Sequence, residues 1–207
     1  MLEQDLYARN LPDIQSKLKC GKAAIAGLGG LGSNIAVMLA RIGVGSLFLV
    51  DFDRVEPSNL NRQHYNHSHL GQFKTDALAS QLELINPFVS VRTCCEKITA
   101  DNAANLFADY SLVCEAFDRA EFKADLVCSM LAAGKTVVAA SGMNGVGDSN
   151  LITTQRKLGK LWLCGDGLDS PPELEAGVGF MAPRVMLCAA HQANAITRIL
   201  LGLEEFT

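Results

Sequence analysis

Residues 22–51 read KAAIAGLGGLGSNIAVMLARIGVGSLFLVD, and no other stretch constrains the fold of this chain so tightly. Ala23, Ala24, Ile25 and Ala26 form a short apolar run that ends in a cluster of glycines, as a buried strand does. Ile35, Leu39 and Ile42 then recur on one face of a helix over residues 33–42, closed by Gly43. A second strand, residues 46–50, carries the apolar run Leu47-Phe48-Leu49-Val50 and ends in the acid Asp51. The order is therefore strand, tight turn, helix, strand, which demands a crossover between parallel strands.

The turn itself, Gly27-Leu28-Gly29-Gly30-Leu31-Gly32, fits G-x-G-x-x-G. Glycines there let backbone N–H groups close on a polyphosphate, and a helix N-terminus adds favourable partial charge for an anion. A tight packing turn can need the same glycines. Asp51, nineteen residues past Gly32, stands where a ribose-binding acid belongs, and this favours nucleotide binding through Gly27, Gly29, Gly30, Gly32 and Asp51.

Beyond this unit the strand–helix rhythm continues. Helix is expected over residues 75–84, 120–133 and 183–201, and strand over 89–95, 111–117 and 136–141. Residues 151–154 and 160–164 flank Arg156-Lys157-Leu158-Gly159 like a hairpin added at a sheet edge. A short amphipathic helix is expected within residues 3–19. The fold class is α/β: a Rossmann-like, doubly wound, mostly parallel sheet with a C-terminal antiparallel hairpin and a final helix. We find no repeat and no convincing boundary, so residues 1–207 are read as one domain, with residues 165–180 as a flexible crossover loop rich in Gly, Pro and acids.

Composition narrows the function. A formal charge of -4 without a basic stripe argues against a nucleic-acid binder. No apolar run nears the ~20 residues that span a bilayer, and the polar start MLEQDLYARN does not read as a signal peptide. Seven irregularly spaced cysteines suit neither a disulfide framework nor a zinc ribbon, so a reducing, cytoplasmic home is the expectation. Cys114, Cys128 and Cys188 are read as small core hydrophobes.

After the second strand the chain turns polar: VDFDRVEPSNLNRQ, residues 50–63, gathers Asp51, Asp53, Asn59, Arg62 and Gln63. Arg62 and Lys74 are the best candidates for positive charge beside the glycine turn. Two cations 4 Å apart repel by about 1 kcal/mol in water and about 4 kcal/mol at an effective dielectric of 20, so they call for anionic partners. Nearby carboxylates or a triphosphate would serve, and Asp53 with Glu56 either balances these cations or meets substrate directly. A hydride-transferring dehydrogenase using NAD has little need of such charge; an enzyme that expels pyrophosphate from ATP does.

GLGGLGS, VDFDRVEPSNLNRQ, the lysine of GQFK and the acid of AFDR, in this order, resemble the ThiF/MoeB/HesA family, relatives of the ubiquitin-activating enzymes. The similarity runs from Tyr7 to the LLG of residues 200–202, and the short length, SGMNGVGDSN and GFMAPRV resemble the compact ThiF-like subgroup. The resemblance implies ATP-dependent adenylation of the C-terminal glycine of a ubiquitin-like sulfur carrier of the ThiS kind, in thiamine biosynthesis. It implies that Asp51 holds the ribose, that Asn59, Arg62 and Lys74 bind phosphates with Gln63 supporting the loop, and that Asp118 ligates Mg²⁺. It further implies a homodimer in which Arg9, within a Tyr7-Ala8-Arg9-Asn10 that partly matches the family's Y-x-R-Q, reaches the partner's site from the N-terminal segment 1–20.

Each role has a plainer counterpart. For Asp118 it is a cap of the helix near Glu121, and for Arg9 a solvated surface charge. Larger relatives hold zinc with two C-x-x-C pairs; this chain has none, so no zinc is expected. His64, His67 and His69 lie in a polar loop, read as solvated or substrate-facing before metal-binding. Cys164 is the candidate for a covalent link to the carrier, against which stands its place at the end of a strand. Alternatives within the family are a molybdopterin-synthase carrier or a threonylcarbamoyl-modified tRNA as substrate. Outside it stand an NAD-dependent oxidoreductase and an inactive carrier-binding scaffold.

Overall fold

A computed structural model describes residues 2–141, 145–167 and 179–203. Among the described residues, seven strands form one sheet in the order β3-β2-β1-β4-β5-β7-β6. They are β1 (Lys22–Ala26), β2 (Ser46–Val50), β3 (Ser90–Cys94), β4 (Leu112–Glu115), β5 (Thr136–Ala140), β6 (Thr153–Lys157) and β7 (Leu161–Gly165). All neighbours pair in parallel except β6 and β7. The order reverses at β1 and β4, so a crevice opens between the loops that follow those two strands, where ligands bind in open α/β sheets.

Strand periodicity sorts the core into two layers. Ala23, Ile25, Leu47, Leu49, Cys114, Val138 and Trp162 face one side. There they pack on α3 (Gly30–Arg41) and α7 (Ala182–Leu200) through Ile35, Leu39, Cys188 and Ile196. Ala24, Ala26, Phe48, Val50, Val113, Val137 and Ala139 face the other, against α5 (Ala100–Leu106) and α6 (Ala120–Ala132). Phe48 stacks on Tyr110 with ring centroids 5.2 Å apart, and meets Phe107 edge-on at 6.0 Å. Small residues dominate β1 because helices press on both of its faces.

Several local expectations need correction. The N-terminal segment is two helices, α1 (Glu3–Leu6) and α2 (Pro12–Cys20), not one. Between them Tyr7 turns inward and is buried; its hydroxyl accepts from Asn86 Nδ2 at 2.6 Å, and Pro12 then opens α2. α3 begins at Gly30, three residues earlier than expected, because the last glycines of the turn are already helical. α4 (Lys74–Ile85) stops at Asn86 as expected.

α5 was not anticipated at all. Its start is a reciprocal cap, in which Thr99 Oγ1 accepts from Asn102 N and Asn102 Oδ1 accepts from Thr99 N at 2.8 Å. At its other end Lys135 Nζ donates to the carbonyls of Phe107, Ala108 and Tyr110 at 2.7–3.1 Å.

The hairpin turns more tightly than expected, at Leu158 and Gly159, which have φ of 46° and 71°; Arg156 and Lys157 belong to β6. Only β6 is an antiparallel addition, since β7 pairs in parallel with β5. Cys128 is exposed rather than a core residue, whereas Cys114 and Cys188 are buried. Among the described residues, no helix is long and apolar enough to cross a membrane. Most of the crossover expected over residues 165–180 lies outside the described residues.

Candidate functional site

The glycine turn lies at the carboxyl end of β1, in the crevice at the switch point. Gly27 has φ 89°, and a Cβ there would stand 3.0 Å from both the Ala116 carbonyl oxygen and the Phe117 ring. Gly32 is demanded by closeness, since its Cβ would meet the Gly27 carbonyl oxygen at 1.8 Å. Both glycines serve the fold. Gly29 differs: its nearest neighbour would be Gln63 Nε2 at 3.8 Å, so the fold leaves room above it.

The polar stretch after β2 wraps over this turn. Asp51, buried, accepts from Leu28 N at 2.6 Å and from Asp53 N at 2.8 Å, joining the end of β2 to the turn. Burial pushes its carboxyl upward, while the Lys74 ammonium and the two N–H donors pull it back. Tyr65 donates its hydroxyl to the Leu28 carbonyl at 2.9 Å. Burial, with the charges of Asp51 and Asp53, raises that phenol and keeps it a donor. Lys74 is buried at the start of α4, and its ammonium lies 2.8 Å from half-exposed Asp53.

The stem of Arg62 packs over Gly30, its Cγ and Cδ 3.5 and 3.6 Å from where a Cβ would stand. Its guanidinium rests on its own loop, donating to Ser58 O at 3.0 Å and Asn61 Oδ1 at 2.9 Å. Asn59 Oδ1 accepts from Glu56 N at 3.0 Å, so this side chain shapes the loop. Gln63 is buried and its Oε1 has no hydrogen-bond partner among the described residues. A buried amide oxygen left bare costs about 1–3 kcal/mol, which a bound donor would recover.

The structure thus brings Gly29, Gly30, Asp51, Arg62 and Gln63 to one turn, with Lys74 linked to it through Asp51 and Asp53. Sequence reasoning overlooked the side chains that fasten the wrap. Ser33 Oγ donates to Gly29 O at 2.6 Å and accepts from His64 N at 3.0 Å. Asn34 Nδ2 donates to Gly30 O at 2.6 Å and Arg62 O at 3.0 Å. The only signal in the sequence was a pair of small polar residues inside a helix, where they weaken propensity.

Asp118 lies exposed after β4, in the same crevice. It does not cap α6, whose N-cap is Arg119 without a side-chain bond. The turn carrying it is anchored by buried Glu115, which accepts from Phe117 N at 2.6 Å and from Lys123 Nζ at 2.9 Å. Among the described residues no group of three His, Cys, Asp or Glu side chains converges as a metal site. His69 Nδ1 accepts from Asn66 N at 3.1 Å, and burial with nearby Arg41 and His69 lowers the His64 imidazole.

Cys164 lies away from the surface. It is fully buried on β7, 3.5 Å from Thr154 Oγ1, and burial pushes its thiol up to about 11. Arg9 is exposed two residues beyond the Tyr7 anchor.

Residues 5–207 match the ThiF family. The chain belongs to that family. Among curated proteins it is similar to the adenylyltransferase and sulfurtransferase UBA4 of Lodderomyces elongisporus, 33% identical over 202 residues. UBA4 of Candida glabrata is 30% identical over 193 residues. These alignments cover 93% and 91% of this chain but 44% of each relative, so the chain spans less than half their length. Among solved structures, tRNA N6-threonylcarbamoyladenosine dehydratase TcdA of E. coli, in complex with ATP, superposes with a TM-score of 0.84 at 21% identity, covering 96% of this chain and 93% of that one. MccB of E. coli with ATP superposes at 0.74, with 21% identity, over 97% and 65%. These two structures share the ThiF-family fold with this chain.

Proposed function

We propose that this protein uses ATP to adenylate the C-terminal carboxylate of a ubiquitin-like sulfur carrier of the ThiS kind. The observation that carries the reading is the wrap of residues 51–65 over the glycine turn. It combines a turn open above Gly29, a cation stem over Gly30 and a bare buried amide oxygen on Gln63. Membership of a family whose curated relatives include adenylyltransferases supports the same reading.

In this reading the phosphates lie on the N–H groups at the start of α3, where the helix dipole favours negative charge. Arg62 exchanges its bond to the Ser58 carbonyl for a phosphate oxygen, and Lys74 shares its charge between Asp53 and the nucleotide. Asp51 keeps acceptor capacity for a ribose hydroxyl, and Gln63 Oε1 can accept a further donor. The carrier carboxylate attacks the α-phosphorus: one O–P bond forms, the bond to the β-phosphate breaks, and pyrophosphate leaves. Because a carboxylate is ionised at neutral pH, the step needs no general base, only positioning and charge stabilisation.

A single exposed acid such as Asp118 suits Mg²⁺, which commonly binds through one or two carboxylates, phosphate oxygens and water. When bound, the ion would neutralise charge on the phosphates. We further propose a homodimer in which Arg9 enters the partner's site. Its exposure beside the Tyr7 anchor supports this, because the base of the segment is held while the arginine stands free of the core.

The experiment is ATP–pyrophosphate exchange against purified carriers, ThiS included, with Arg62→Ala and Lys74→Ala as controls. Exchange that depends on one carrier and is lost in both variants is expected; carrier-independent or undiminished exchange would remove the assignment. A second reading, adenylation of a carboxylate on threonylcarbamoyl-modified tRNA, is favoured by the end-to-end superposition on TcdA. The same assay with that tRNA replacing the carrier separates the two.

A further inference from the structure

Nothing in the motifs of the polar stretch says what holds Arg62 at the right height above the glycine turn. The loop carrying it is a run of 3-10 turns and bends that packs on the first turn and a half of α3. Two side chains of that helix reach it. Ser33, fully buried, accepts from His64 N at 3.0 Å. Asn34, 4% exposed, donates from one amide nitrogen to Arg62 O at 3.0 Å and to Gly30 O at 2.6 Å. The two bonds bracket Gln63, so the loop is pinned on both sides of that residue.

Asn34 is costly where it stands. Asn is a poor helix former, because its side chain competes for backbone groups, and burying its amide is unfavourable unless the amide is bonded. A leucine at this position would serve the helix and the adjoining core better. The one thing the amide does that an apolar residue cannot is to tie the Arg62 carbonyl to Gly30, the glycine under the Arg62 stem.

We infer that Asn34 is a positioning residue for Arg62. It holds the Arg62 backbone against the phosphate turn, so that the guanidinium needs only to rotate away from the Ser58 carbonyl to meet a bound polyphosphate. The inference rests on the nucleotide reading proposed above and adds to it the group that pre-organises its cation.

The test is calorimetric titration of ATP and of adenosine into wild type, Asn34→Ala, Arg62→Ala and the double variant. Thermal unfolding of each is recorded alongside. Asn34→Ala is expected to weaken ATP about tenfold, near the net worth of one hydrogen bond, and to leave adenosine within about twofold. On the Arg62→Ala background its further effect on ATP is expected to fall below about twofold, because the two residues act as one unit. Equal losses on both backgrounds, or a parallel loss of adenosine, would overturn the inference in favour of a general structural role. Normal ATP affinity in Arg62→Ala would instead remove Arg62 from the nucleotide site, and the inference with it. Asn34→Leu provides a second folded background, and failure of both variants to fold would also decide for a structural role.

Discussion

Two glycines of one motif carry opposite expectations, and together they separate a phosphate cradle from a mere packing turn. At Gly32 an added Cβ would lie 1.8 Å from the Gly27 carbonyl oxygen and 2.9 Å from its carbon. Both are backbone atoms, and an ordinary contact lies at 3.4–4 Å, so the turn must open by well over 1 Å. Gly32→Ala is therefore expected to cost more than about 3 kcal/mol of stability, at the top of the range for steric insertions into packed regions. At Gly29 the added Cβ meets only Gln63 Nε2 at 3.8 Å, an ordinary van der Waals distance, and φ is -75°. Gly29→Ala is expected to change stability by less than about 1 kcal/mol. If Gly29 is where the backbone approaches a phosphate, its methyl group blocks that approach. The loss is then one charge-assisted backbone hydrogen bond, about 1.5–3 kcal/mol, or roughly ten- to a hundred-fold in ATP affinity. Urea unfolding measures the first quantity and calorimetry the second. A Gly29→Ala protein that folds and binds ATP as well as wild type would refute the cradle and leave the motif a packing device.

Three further expectations follow from burial. Iodoacetamide at pH 8 should modify exposed Cys20, Cys95 and Cys128 but spare Cys164 and Cys188, whose thiols burial pushes up to about 11 and about 12; mass spectrometry showing prompt labelling of Cys164 would restore it as a candidate nucleophile. Arg184 is buried with its guanidinium on the Asp166 carboxylate and the Asp148 carbonyl, and Arg184→Met removes both of these contacts. The expected loss is about 1.5–3 kcal/mol by denaturant unfolding, the worth of hydrogen bonds to a charged group, and a loss below about 0.5 kcal/mol would contradict the assigned pairing. His64 is held below its ordinary 6.5, chiefly by burial and then by Arg41 and His69. The unfolded chain therefore takes up that proton first, so stability is highest above pH 6.5 and declines as pH falls through it. His64→Gln should flatten the decline between pH 7.5 and 5.5; an unchanged slope would assign it elsewhere, His191 included.

Much of the architecture was legible because it is written in short-range pattern. The apolar runs at residues 23–26 and 47–50 are buried on both faces, so they read as unbroken strands. Gly43, φ 83°, ends its helix as the sequence suggests. The misses have local causes too. α5 is only seven residues long with a weak apolar face, yet its Thr99–Asn102 cap was a signal that went unread. The N-terminal helix was read as continuous because leucine spacing bridges Tyr7, whose burial depends on Asn86, seventy-nine residues away.

By itself the sequence determined that a glycine turn joins a buried strand to a helix, that an acid closes the next strand, and that amides and cations follow. Those features depend on residues within a few positions of each other, where backbone sterics and periodicity act. Which of them meet was decided only by the tertiary structure. The sheet carries the polar stretch back across α3, so that Asn34 finds the Arg62 carbonyl, Lys74 finds Asp53 and Cys164 is covered by α7 and β6. Burial and pairing depend on neighbours brought from elsewhere in the chain, and no local pattern records them.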